Sequence, residues 1–157
     1  MTRWLSLEQQ RIWRDWITAA QLLDDVLTRE LQDAFDMTLS DYEILVRLSE
    51  SPQRRIRMSE LAASVISSRS RLSHQIDRMV SNGLVERQVC DDDRRGQFAV
   101  LTNEGMELLE AAAPTHVTGV REHFVDVLTP EEYEALGRAV EKLAAHLDEG
   151  NEISKIK

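Results

Sequence analysis

Ile12, Trp13, Trp16, Ile17, Ala20, Leu23, Val26, Leu27, Leu31 and Phe35 recur at helical spacing, and no other feature narrows the fold as much. Ser6-Leu7-Glu8-Gln9 reads as a capping box, in which the serine oxygen takes a free helix N–H and Gln9 reaches back. The helix it opens runs for about eight turns, too long to bury its stripe against itself. A second stripe, Tyr133, Leu136, Val140, Leu143 and Leu147, follows the start signal Thr129-Pro130-Glu131-Glu132: a cap, a proline at the first helical position and a capping glutamate. A chain of 157 residues fits one compact unit. Stripes of this length at both ends expose more apolar surface than one such unit covers, which predicts an obligate homodimer.

Between the stripes the pattern shortens. Ser40-Asp41-Tyr42-Glu43 reads as a second capping box, opening a helix that turns Ile44, Leu45 and Leu48 inward and stops at Pro52. After the basic stretch Arg54 to Arg57, Met58, Leu61, Ala62 and Val65 share one helical face. Ser67 or Ser68 caps the next helix, Arg69 to Asn82, with Leu72, Ile76, Met79 and Val80 inward and Gly83 as its stop. Two short helices joined by a serine-containing turn form a helix-turn-helix candidate. Leu84 to Val89 and Gln97 to Leu101 are strand-like, so Cys90 to Gly96 becomes the charged tip of a hairpin. Thr102 caps a further long helix that carries Leu108, Leu109, Val117, Val120, Phe124 and Leu128 and is punctuated by Pro114. Residues 150–157 read as a frayed tail. The expected class is mainly α with a small β-hairpin wing, a winged helix-turn-helix over 38–102 flanked by dimerisation helices over 1–37 and 103–157.

The net charge of -9 argues at first against a polyanionic partner. Its distribution argues the other way. From Arg54 to Arg95 there are 9 arginines against 6 acids, whereas the rest of the chain holds 10 basic and 22 acidic side chains. A cationic middle between acidic flanks is an electrostatic footprint for double-stranded DNA, although an ordinary solvated surface would account for the charge alone equally well. On the Arg69–Asn82 helix, Ser68, Arg69, Ser70, Arg71, Ser73 and His74 suit a major groove. Arginine can donate two hydrogen bonds to guanine, small serines permit close approach, and a helix N-terminus attracts phosphate. A solvated polar face is the competing reading of these residues. The hairpin that follows immediately, tipped by Arg94 and Arg95, reaches the flanking minor groove, where arginine insertion is favoured.

Other classes find less support. No Ser/His/Asp set, glycine-rich phosphate loop or supported carboxylate pair is present, so no enzymatic activity is expected. His116 and His123 lie about 10.5 Å apart along a helix, too far to share one metal ion. With a single cysteine, Cys90, no internal disulfide forms, and no cofactor or metal is expected. Cys90 reads as filling a small, half-buried site. Met1 to Leu7 lacks a secretory pattern and no apolar run approaches a membrane span, which fits a cytoplasmic protein with no membrane partner. Trp13 and Trp16 read first as core, with stacking on an aromatic effector as the alternative.

Taken in order and spacing, Met58-Ser59-Glu60-Leu61-Ala62, Ser68-Arg69-Ser70 with Asp77-Arg78-Met79, Gly83-Leu84-Val85-Glu86-Arg87, Asp91-Asp92-Asp93-Arg94-Arg95 and Leu101-Thr102-Asn103-Glu104-Gly105 resemble the multiple-antibiotic-resistance regulator (MarR) family. The resemblance covers nearly the whole chain. It implies a homodimer with interlocking first and last helices, each protomer presenting a recognition helix and a wing to half of a near-palindromic operator. It also implies that Asp93 pairs with Arg78 to brace the wing while Arg95 reaches the minor groove. Many family members release DNA when a small aromatic or anionic effector enters between the dimer helices and the DNA-binding lobe; Trp13, Trp16 and His116 are the candidate contacts here. Family members that sense peroxide carry a reactive cysteine near the N-terminus, where this chain has none. The expected function is transcriptional regulation, repression in particular. The alternative is a helical protein-interaction module that keeps the fold without binding an operator.

Overall fold

A computed structural model describes residues 1–65, 68–90 and 96–148. Its elements run in the order α1 (Leu7–Phe35), α2 (Leu39–Glu50), β1 (Arg55–Arg57), α3 (Met58–Ser64), α4 (Arg69–Ser81), β2 (Val85–Val89), β3 (Gln97–Leu101), α5 (Asn103–Val120) and α6 (Pro130–Asp148). A wider π-type turn, Arg121–Val125, extends α5. The fold is mainly α with a small antiparallel sheet, a winged helix-turn-helix arrangement.

The N-terminal expectation holds in detail. Ser6 Oγ accepts from the Gln9 N–H at 3.2 Å, and Gln9 Oε1 accepts from the Ser6 N–H at 2.9 Å. Thr129 and Glu132 exchange the same pair of bonds at the start of α6. The second helix differs: it begins at Leu39, and Thr38, not Ser40, is its cap. Thr38 Oγ1 accepts from the Asp41 N–H at 3.1 Å while Asp41 Oδ2 accepts from the Thr38 N–H at 3.2 Å. This register buries Leu39 and leaves the other carboxylate oxygen of Asp41 for α4. Gln75 Nε2 donates to it at 2.9 Å and Arg78 Nη2 at 2.5 Å.

The core gathers Leu27 and Leu31 of α1, Ile44, Leu45 and Leu48 of α2, Leu61 of α3, Leu72, Ile76 and Met79 of α4, Val85, Ala99 and Leu101 of the sheet, and Leu109 and Ala112 of α5. Val80, expected inward, is exposed, because the buried face of α4 is the row 72, 76, 79 and Val80 sits about 100° farther round. Cys90 is fully buried rather than half-buried.

A third strand escapes the sequence pattern. Three residues long, with one apolar side chain between two arginines, β1 has no alternation to read. It pairs with β3 in the register Arg55–Val100, Ile56–Ala99 and Arg57–Phe98, giving the sheet order β1-β3-β2. Ile56 follows Ala99 onto the inner face, while Arg55, Arg57 and Phe98 share the outer one.

The junction of the wing with α5 is close-packed. Gly83 (φ +74°) ends the α4 turn, its carbonyl accepts from Thr102 Oγ1 at 2.7 Å, and the same hydroxyl accepts from the Gly105 N–H at 2.9 Å. A Cβ at Gly105 would lie 2.2 Å from the Leu84 carbonyl oxygen. The stripes at the two ends are not covered within the protomer. Trp13 is 58 % exposed and Trp16 44 %, so neither is core; α6 has no buried residue. No helix among the described residues is long and apolar enough to cross a membrane.

Burial by itself would raise the Asp41 carboxyl, but the hydrogen bonds from Gln75 and Thr38, with the charge of Arg78, outweigh it and hold the group below the ordinary carboxylate range. A lowered carboxyl stabilises the fold fully above its unfolded value of about 3.9 and loses that contribution as pH falls through the folded value. Asp41→Asn is therefore expected to cost about 1–2 kcal/mol at pH 7, from a weakened cap and lost charge-assisted bonds. The gap to the parent should narrow below pH 4 in denaturant titrations. Arg78→Ala should cost less, about 0–1 kcal/mol, because the guanidinium is half exposed and screened. Gly105→Ala is expected to destabilise by about 1–3 kcal/mol, read as a lower melting temperature, since the clashing atom is backbone.

Candidate nucleic-acid interface

The first turn of α4 is set by Ser68, which adopts extended geometry (φ -66°, ψ 147°) and accepts from the Arg71 N–H at 3.3 Å. From that start the 3.6-residue period sends Leu72, Ile76 and Met79 into the core and turns Arg69, Ser70, Arg71 and His74 outward, all exposed. Four polar side chains thus share one rim at a helix N-terminus, where free N–H groups and the helix dipole favour an anion.

Ser73 differs from its expected role. Its hydroxyl accepts from Arg87 Nη2 at 3.0 Å and its carbonyl accepts from the same nitrogen at 3.1 Å, so it anchors the wing instead of facing a groove. Arg87 also donates to Asp77 Oδ1 through Nε (3.1 Å) and Nη2 (2.9 Å), and through Nη1 to Gln97 Oε1 at 2.7 Å. One guanidinium thereby joins β2, β3 and α4. It was missed in the sequence, although a signal exists: Arg87 has the inward parity of β2, shared with buried Val85, where an apolar residue belongs unless a charge has a partner.

Arg78 braces α2 to α4 through Asp41. The partner expected for it from the family resemblance, Asp93, lies outside the described residues, as do Arg94 and Arg95. Between α4 and the base of the hairpin lies a cleft of about 450 Å³, lined by Arg57, Met58, Arg69, Ser73, Arg87 and Gln97 among others.

Trp13, Trp16 and His116 do not converge within the protomer. His116 stacks on Tyr42 with ring centroids 4.4 Å apart and lies in the field of Glu30, which accepts or shares a proton with His123 at 2.6 Å. Trp16 is 14 residues before Glu30 on α1, about 21 Å along the axis. Burial lowers the His116 imidazole below its ordinary value, against the opposing charge of Glu30. A separate hollow of about 390 Å³ opens between the helical layer and the helix-turn-helix, with Gln32, Phe35, Thr38, Asp41, Arg78 and Leu108 on its walls. Among the described residues no group of three His, Cys, Asp or Glu side chains is placed to hold a metal ion.

Comparisons with known proteins agree with this geometry. The MarR family model matches residues 37–96. The transcriptional regulator HosA of Escherichia coli O157:H7 is 30% identical over 123 residues, spanning 78% of this chain and 89% of HosA. In crystal structures, AbsC, a MarR family transcriptional regulator from Streptomyces coelicolor, is 49% identical with a TM-score of 0.87 over 93% of this chain and 98% of AbsC. Sco3205, a MarR family regulator from the same organism solved in complex with DNA, is 48% identical with a TM-score of 0.90 over 94% of this chain and 92% of Sco3205.

Arg87→Met is expected to keep α4 folded while loosening the hairpin from it. Hydrogen exchange should quicken in β2 and β3 more than in α4, with an overall loss of about 1–3 kcal/mol, as for a part-buried charged group deprived of its bonds. Uniform exchange across all three elements would show that Arg87 does not set the wing.

Proposed function

This chain belongs to the MarR family of transcriptional regulators, and from that premise we propose that it is a sequence-specific DNA-binding repressor acting as a homodimer. The single observation that carries the DNA reading is the exposed rim Arg69, Ser70, Arg71 and His74 at the N-terminus of α4, held beside a hairpin by Arg87. Arg71 and Arg69 face base edges and phosphates in a major groove, Ser68 and Ser70 allow close approach, and Arg94 and Arg95 at the hairpin tip enter the adjacent minor groove. The resemblance of this chain to a regulator solved with DNA supports the same docking. Occupying a promoter in this way blocks polymerase.

Dimerisation uses 1–37 and 103–157, and DNA binding uses 38–102. The support is energetic: Ile12, Trp13, Trp16 and Leu22 on α1, and Val140, Leu143 and Leu147 on α6, are exposed in the isolated protomer, a larger apolar surface than a soluble monomer ordinarily leaves to water. A second copy covers them and sets two recognition helices about one helical turn of DNA apart, so the operator is near-palindromic.

A small aromatic or anionic effector releases the DNA. The hollow beside Arg78 supports this reading, because an anion there competes with Asp41 for the guanidinium and so disturbs the brace between α2 and α4. Asp93, paired with Arg78, steadies the wing.

Selection from random duplexes should return a near-palindromic motif for the parent. Arg71→Ala should weaken binding to it by about 1–3 kcal/mol and relax one base position in each half-site. Identical motifs from both proteins would remove Arg71 from the base contacts, and no motif from the parent would leave a protein-interaction module as the better reading. Light scattering should report twice the chain mass; a folded monomer at micromolar concentration would overturn the dimer.

A further inference from the structure

We propose that the cleft between α4 and the hairpin seats a backbone phosphate of the DNA, and that Arg57, delivered by the edge strand β1, is a side chain that neutralises it. The inference rests on the reading of α4 and the hairpin as occupants of adjacent grooves. In B-form DNA one sugar–phosphate strand separates a major groove from the minor groove beside it. A protein with one element in each must straddle that strand, and the space between α4 and the hairpin is this cleft.

Three arginines, Arg57, Arg69 and Arg87, are among its lining residues, and they are not equivalent. Arg87 is compensated by Asp77 and spent on Ser73 and Gln97. Arg57 and Arg69 have no carboxylate partner among the described residues; one is at the start of α3 and the other in the first turn of α4. Two cations lining one cleft without such a partner favour the entry of an anion. Arg57 is also held in place. It sits opposite Phe98 in the β1–β3 register with its guanidinium carbon 5.4 Å from the ring centroid. Arg55 packs on the same ring at 4.8 Å and donates to Gln88 Oε1 at 3.1 Å. An arginine steadied by an aromatic face loses less rotamer freedom when it binds phosphate than one waving in solvent. The contact is to backbone, so it carries affinity without sequence preference.

The test measures binding of the parent, Arg57→Ala and Arg57→Gln to two duplexes, the motif recovered by selection and a random sequence of equal length, across a salt series. One lost phosphate contact per protomer should lower the slope of log K against log salt by about 0.9 per half-site, weaken both duplexes by a similar factor and leave the selected motif unchanged. Arg57→Lys should restore most of the slope. A slope unchanged in both variants, with circular dichroism showing them folded, would overturn the inference while leaving the regulator reading intact. A parent without any motif would overturn that reading, and this inference with it. Thermal melts in inorganic phosphate complete the set. Stabilisation that depends on Arg57, with an unchanged DNA slope, would assign the cleft to a free anion and sink the DNA contact.

Discussion

Asp41 places a carboxylate in a site that is 94% closed to solvent, and the packing of α2 against α4 is arranged around satisfying it. A buried carboxylate is costly unless it is hydrogen-bonded. Instead each oxygen is used: one caps α2 through the Thr38 N–H, the other takes Gln75 and Arg78 from α4. The link between α2 and α4 is thus polar and directional. Leucines alone would hold α4 against the core but would let it slide or rotate; the carboxylate specifies where along the helix the contact falls.

From that fixed point the wing is placed by a second polar device. Arg87 enters the inner face of the sheet and reaches Ser73 and Asp77 on α4, so the hairpin is oriented by the same helix whose N-terminus carries Arg69, Ser70, Arg71 and His74. The Gly83–Thr102–Gly105 junction closes the far end of the sheet onto α5. The helix α4, the hairpin and α5 are therefore coupled through a short series of hydrogen-bonded groups centred on Asp41, Arg87 and Thr102. A disturbance at Arg78 or Asp41 reaches α4 directly, and one at Arg87 reaches the wing.

The helical layer itself is incomplete. Leu27 and Leu31 at the C-terminal end of α1 pack on α5, yet the N-terminal half of α1 and all of α6 bury nothing. Acidic side chains are concentrated in this layer and arginines in the other, a division that keeps the surface around α4 and the hairpin cationic in a chain of net charge -9. The two surfaces differ in kind: exposed apolar area on one, positive charge on the other.

Much of this was legible in residue order. Helices α1, α4, α5 and α6 follow from 3.6-residue stripes and from caps at Ser6, Ser68, Thr102 and Thr129, because those signals are local and each involves residues within one turn. The outward rim of α4 followed from the same period. Where sequence reading failed, the deciding interaction was in most cases distant. The second helix is the local exception: it begins at Leu39 because Thr38 and Asp41 form the capping box, two residues earlier than the Ser40 box, and only the second carboxylate oxygen of Asp41 serves Gln75 and Arg78, more than thirty residues away. The strand β1 exists because β3 offers it an edge, which three residues cannot announce by alternation. Ser73 left the groove-facing set because Arg87, fourteen residues on, occupies its hydroxyl. Trp13 and Trp16, placed on an apolar stripe by spacing, remain exposed because no other element of the protomer packs over the N-terminal half of α1. Sequence by itself determined the elements and the faces they present, since period and capping are properties of neighbouring residues. Tertiary structure alone decided which polar side chains are spent on holding the wing and which stay exposed, since a hydrogen bond across the fold competes for the same atoms that a groove would use.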